Sequence, residues 1–295
     1  MPVVFVLIWS TGFIVARYGM PLSPPMKFLA VRYALSILCF LPWIFLAKVA
    51  WPQSRAQWLH LAVTGVLMHA CYLGGVWAAV KSGMGSGLTA LIVGLQPVLT
   101  ALWLSSIAKS NVGGSSHVSA RQWAGLALGL VGLVMVVSRK LGAGDEVHWQ
   151  SMVLAVGALL GITVGTLYQK RFVAPCDVRT ANVVQLGAAL ALTLPLTLLE
   201  VEPMQWNLQL AGAMAWSVLA LTLGGSSLLY LLIQRGAAAS VTSLMYLVPP
   251  VTALLAWLLF SEPVTLVTLL GTVVTAIGVS LVVRTAPAQK QGGRA

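Results

Sequence analysis

His69 and Tyr72 stand three residues apart in one apolar run, so in a helix they share a face that joins an imidazole to a phenol. Such a face could handle a proton or line a polar cavity; equally, His69 could simply bond a neighbouring helix. Arg32 is the other clearly titratable side chain within an apolar run. It lies about one turn from the run's start, close enough to snorkel to an interface, and could otherwise attract a carboxylate. No Asp or Glu falls in the middle of any apolar run. Many cation-coupled carriers use an intramembrane carboxylate, and a cationic cargo needs a counter-charge, so small zwitterionic or neutral cargo fits better.

Enzymatic readings find little support. The chain has no GxxxxGK phosphate loop, no HExxH and no GxSxG. Gly142-Ala143-Gly144-Asp145 matches a GxGD string, but it follows Arg139-Lys140 in a loop and has no second aspartate within a span, whereas a catalytic dyad needs two carboxylates. The three cysteines, Cys39, Cys71 and Cys176, lack CxxC spacing and read as small hydrophobes. No cofactor or metal is called for.

These groups must be positioned by membrane helices. Of 295 residues, 59% are hydrophobic and only 8% charged, against about 25% charged in a soluble domain. Continuous low-charge runs recur, which indicates an all-α polytopic membrane protein rather than an alternating-strand barrel. Ten spans can be marked, near 2–16, 28–47, 61–80, 87–108, 122–138, 149–169, 180–199, 210–233, 237–260 and 264–283, followed by a polar tail over 285–295. The first is short for a bilayer unless the helix runs past Arg17 to Met20.

The net charge of +11 does not indicate nucleic acid, because Lys and Arg fall in short loops. With a cytoplasmic amino terminus, eleven of them (Lys48, Arg55, Lys109, Arg121, Lys170, Arg171, Arg179, Arg235, Arg284, Lys290, Arg294) lie inside and five (Arg17, Lys27, Lys81, Arg139, Lys140) outside. Both termini are therefore expected in the cytoplasm.

The chain also repeats itself. At an offset of 153, Gly12 matches Gly165, Leu41-Pro42 matches Leu194-Pro195, Thr89 matches Thr242 and Pro97-Val98 matches Pro250-Val251. At 146, Gly125 matches Gly271 and Gly132 matches Gly278. Residues 1–140 and 141–284 thus read as two five-helix copies. An odd span count inverts the second, an arrangement common in secondary transporters.

Trp9-Ser10-Thr11-Gly12-Phe13, Arg17, the Pro21/Pro24/Pro25 turn and Arg32 resemble the opening of EamA-type members of the drug/metabolite transporter superfamily. Thr89–Thr100 with Pro97, its copy Thr242–Ala253 with Pro250, and Ser261-Glu262-Pro263 resemble further parts of that family, so the likeness covers the whole chain. It departs from its own symmetry where Gln185 replaces Arg32 and Ile162 replaces Trp9. The resemblance implies a bacterial inner-membrane carrier working by alternating access, most like exporters of aromatic and other amino acids; export of amphipathic drugs is the alternative. A scaffold or intramembrane enzyme is the reading from another class.

The same resemblance places the cavity among the first, third, fourth, sixth, eighth and ninth helices. Trp9, Tyr72, Trp103 and Tyr246 would supply rings, while His69, Gln96, Thr163, Tyr230 and Ser243 would supply polar contacts. Pro97 and Pro250 sit mid-span and are candidate gates, or merely tolerated bends. The Gly-rich fifth and tenth helices would be peripheral or form a homodimer. The expected partners are a small-molecule substrate and the lipid bilayer.

Overall fold

The computed structural model describes residues 2–100, 103, 120–141, 148–234, 247–262 and 265–283, and among these there is no strand. The helices are α1 Pro2–Gly19, α2 Pro25–Leu46, α3 Arg55–Lys81, α4 Ser86–Val93, α5 Ala120–Leu141, α6 Trp149–Phe172, α7 Val178–Leu196, α8 beginning at Leu208 and ending at Gln234, α9 Val248–Phe260 and α10 Leu266–Val283. A second helical piece, residues 96–100, continues α4. Five of the helices (α2, α3, α6, α7 with its short extension, and α8) are long and apolar enough to cross a membrane, and the others are shorter apolar helices. The leucines, valines and tryptophans exposed on their outer faces, such as Leu38, Trp43, Phe45 and Leu160, suit a lipid surface rather than water. α1 runs past Arg17 to Gly19 but remains among the shorter apolar helices.

Two helices change their winding at corresponding places. α3 is π-helical over Val66–Cys71 and α8 over Ser217–Ser226; the first shifted by 153 falls inside the second. A π turn widens the helix and releases a carbonyl, and the hydroxyls of Thr222 and Ser226 reach back to the carbonyls of Ser217 and Leu221, five residues earlier.

The two copies meet at one end through carboxylates. Neither Pro24 nor Gly85, which precede α2 and α4, offers a capping side chain. Glu200 instead accepts from the Met26 and Lys27 amides, each at 2.8 Å, and Glu262 accepts from the Ser86 amide at 3.2 Å and hydroxyl at 3.0 Å. Each satisfies orphan donors at a helix start and places negative charge where the helix dipole favours it. Lys81 pairs with Glu202 at 2.6 Å beside them. The opposite end is held by neutral groups and one local ion pair. Gln57 exchanges hydrogen bonds with the Ala174 backbone, and His60 Nδ1 meets the Tyr168 hydroxyl at 2.8 Å. Asp177 caps α7 and binds Arg179, whose guanidinium hydrogen bonds hold that carboxyl below its ordinary range.

α5 and α10 pack along each other. A Cβ added at Gly271 would meet the Gly132 carbonyl at 2.7 Å, and one at Gly278 would meet the Gly125 carbonyl at 2.5 Å, so the backbones cross with no room for a side chain. The glycines that match at offset 146 thus occupy reciprocal positions across one contact.

Candidate functional site

A narrow cavity of about 50 Å³ opens among α1, α2, α3, α6, α7 and α8. Trp9, Phe13, Tyr72, Val76, Trp77 and Ile162 give it aromatic and apolar walls. A smaller space between α1, α3, α4, α6 and α9 lies beyond Trp9, Phe13, Tyr72 and Ile162, which line both. Trp9 and Tyr72 form the partition: their rings lie nearly parallel, with centroids 6.5 Å apart.

Arg32 is inside. Its side chain is only 3% exposed, and Nε donates to Thr222 Oγ1 at 3.1 Å. The next residue, Tyr33, donates its hydroxyl to the His69 carbonyl at 2.8 Å. One turn of α2 therefore grips both π segments: Arg32 holds α8 at Thr222, and Tyr33 holds α3 at His69. Positions 69 and 222 are themselves 153 apart. Snorkelling, which the position along the helix allowed, does not occur, because the guanidinium faces α8 and the cavity.

Gln185, the counterpart of Arg32, lines the same cavity and lies close enough to His69 for the two side chains to interact. It is 4% exposed, and its amide nitrogen has no hydrogen-bond partner. A buried donor left unpaired costs about 1–3 kcal/mol unless water or a guest reaches it.

Of the sequence-derived candidates, Trp9, His69, Tyr72 and Tyr230 line the main cavity, with Tyr230 also 3.0 Å from Cys176 Sγ. Gln96 lines the smaller space and donates to Thr166 Oγ1 at 3.1 Å. Thr163 lines neither, and its hydroxyl donates to the Leu159 carbonyl one turn back at 2.6 Å. Trp103 is 51% exposed and stands away from both spaces. Ser243 and Tyr246 lie outside the described residues.

Among the described residues, Pro97 and Pro250 each stand at the start of a helical piece. α4 breaks at Gly94-Leu95, and Pro97 falls in the first turn of the next piece, while Pro249 and Pro250 open α9. First-turn positions have no intrahelical amide partner to lose. The two breaks touch, for a Cβ on Gly94 would lie 2.6 Å from Pro249 Cγ.

Gln185 and Gln169 are not among the sequence-derived candidates, whereas Arg32 reads from sequence as either snorkelling or attracting a carboxylate; α2 and α7 join the expected cavity helices. The signal available for Gln185 was the shared offset: a cation and an amide at matching places in two copies. The described residues contain no cluster that could hold a metal ion.

Known proteins give this geometry a context. YedA of Escherichia coli, named an uncharacterized inner membrane transporter, is 26% identical over 84% of this chain and 78% of its own length. YvbV of Bacillus subtilis, named an uncharacterized transporter, is 24% identical over 97% of this chain and 91% of its own. A protein of Salmonella typhimurium named a probable amino-acid metabolite efflux pump is 23% identical over 56% of this chain and 51% of its own length. One solved crystal structure shares the fold, with a TM-score of 0.67 over 95% of this chain and 94% of that one at 17% identity. Residues 2–138 and 149–284 both match the EamA-like transporter family, and with two copies of its domain enclosing a shared cavity this chain is a membrane transporter of that family.

Proposed function

We propose that the protein exports small metabolites, foremost aromatic and other apolar amino acids, across the bacterial inner membrane by alternating access of two inverted five-helix copies. The observation that carries this reading is the cavity itself. Helices of both copies line it, its walls are aromatic, and Arg32 and Gln185 give it polar contacts at corresponding positions. Ring faces and apolar burial hold the side chain of the cargo, and the Trp9–Tyr72 partition separates the two spaces between which it passes. The inner-membrane and amino-acid efflux names of the relatives agree with this. The reciprocal glycines of α5 and α10 and the matched π segments support the duplication, and the loop charges support cytoplasmic termini.

All four described acids lie at helix ends or in loops and are engaged there, which favours cargo that runs down its own gradient. The test is flux of phenylalanine, tryptophan and leucine in vesicles holding purified protein, with and without an imposed proton gradient. Saturable flux that drops in Trp9→Ala and Tyr72→Ala is the expected result. Absence of flux for every amino acid offered would overturn the reading. Reporter fusions after Arg55, Arg121, Arg179 and Arg294 should all read cytoplasmic.

A further inference from the structure

We infer that the cavity selects its cargo by the carboxylate and has no matching site for an ammonium, so that a carboxylate with an apolar body and no amine binds it best. The inference rests on the reading that this cavity is the transport site. It starts from an imbalance of charge and of donors. Arg32 is a buried cation whose one described hydrogen bond leads to a neutral hydroxyl. No carboxylate lies among the described residues of the cavity wall. The four described acids are engaged elsewhere: Glu200 and Glu262 on helix starts, Glu202 with Lys81, and Asp177 with Arg179.

A neutral polar group leans the same way. The Gln185 amide nitrogen is buried, unpaired and at the cavity wall. A guanidinium presents a planar fork that matches a carboxylate, and hydrogen bonds to a charged acceptor are the strong ones. Thr222 occupies Nε and leaves the two terminal nitrogens for that purpose. A carboxylate bound there neutralises Arg32, fills an unpaired donor and lays its apolar body along Trp9 and Tyr72. The ammonium of an amino acid finds ring faces, hydroxyl oxygens and water, but no counter-charge.

Three probes sharing one ring separate the contributions: 3-phenylpropionate has the carboxylate alone, phenylalanine has both charges, and 2-phenylethylamine has the ammonium alone. Binding is read from the rise in thermal midpoint of the purified protein with ligand concentration. The expected order of affinity is 3-phenylpropionate, then phenylalanine, then 2-phenylethylamine. Arg32→Gln should weaken 3-phenylpropionate by at least about tenfold, in keeping with a lost charge-assisted hydrogen bond, and Arg32→Lys should lose less. Gln185→Leu, which leaves Arg32 in place, should weaken it several-fold and covers the case in which Arg32→Gln does not fold.

Binding of 2-phenylethylamine as tight as 3-phenylpropionate would overturn the inference without any variant. So would unchanged 3-phenylpropionate affinity in both Arg32→Gln and Gln185→Leu. Phenylalanine flux that Arg32→Gln leaves intact would overturn it while sparing the proposed function. Arg32-dependent binding of 3-phenylpropionate with no amino-acid flux would instead overturn the proposed amino-acid export and sustain the inference.

Discussion

Two pairs of helices at corresponding places in the two copies pack against each other, and they have fared differently. In the α5–α10 pair the copies remain alike: Gly132 and Gly278, like Gly125 and Gly271, still serve one reciprocal contact. In the α2–α7 pair they have diverged. Arg32, Tyr33 and Ser36 on α2 stand where α7 has Gln185, Leu186 and Ala189. The first pair needs only close backbone approach, which the same small residue supplies on both sides. The second faces the cavity, where a cargo of the proposed kind, with a head and a tail, would need two unlike walls. Two arginines there would also repel across a low-dielectric space.

The comparison breaks most visibly at the glycines. Gly278→Ala and Gly271→Ala should each destabilise the protein by about 1–3 kcal/mol, the usual range for overpacking a tight contact. Gly157→Ala and Gly187→Ala, where an added Cβ meets nothing within 4 Å, should be neutral or gain about 0.5–1 kcal/mol from helix propensity. Thermal unfolding in detergent checks both, and equal tolerance at all four would show that the α5–α10 crossing is looser than described.

Next comes an exchange across the diverged pair. Arg32→Gln combined with Gln185→Arg returns one cation to the same cavity from the other wall. Phenylalanine flux should fall roughly tenfold in Arg32→Gln alone, about the worth of one charge-assisted bond, and recover in part in the double variant. No recovery would mean that the Thr222 anchor, not the charge alone, is required.

A smaller effect is expected at the helix starts. Glu262→Ala leaves α4 without its remote cap and should cost about 1 kcal/mol, as loss of an N-cap typically does; the same unfolding assay reads it. Glu262→Gln keeps an acceptor and should lose less.

The smallest effect concerns acid. Arg179 holds Asp177 below the ordinary carboxyl range, so this pair contributes stability that is fully present above about pH 3.9 and is lost as pH falls through the lowered value. Asp177→Asn should flatten that part of the pH profile and lose, at neutral pH, the small contribution of this partly exposed pair.

The sequence carried some of this plainly. The apolar runs and their breaks follow from composition, because a bilayer admits only helices whose backbone bonds are internal. The match of Pro97 to Pro250 was legible as an offset, but their place in the first turn was not, since it depends on where Gly94-Leu95 lets the helix end. Arg32 shows the limit most sharply. Its distance along α2 is readable, whereas its direction is set by α8, and a helix apolar on every side has no stripe to reveal which face is inward. Thr163 gives its hydroxyl to its own helix, a local bond that spacing alone does not reveal. Glu200 and Glu262 read as loop acids because their partners, the bare starts of α2 and α4, lie 173 to 176 residues away in the chain.

Those remote caps bear on how the protein is made. Chains enter the membrane from the amino terminus, so α2 and α4 are in place well before Glu200 and Glu262 have been synthesised. During that interval both helices begin with unsatisfied amides, and Arg32 has no Thr222 to hold it. The first copy is consequently an unfinished object, kept waiting by its own sequence for the second to arrive. Residues 1–140 produced alone should be degraded, and residues 141–295 supplied as a separate chain should rescue them.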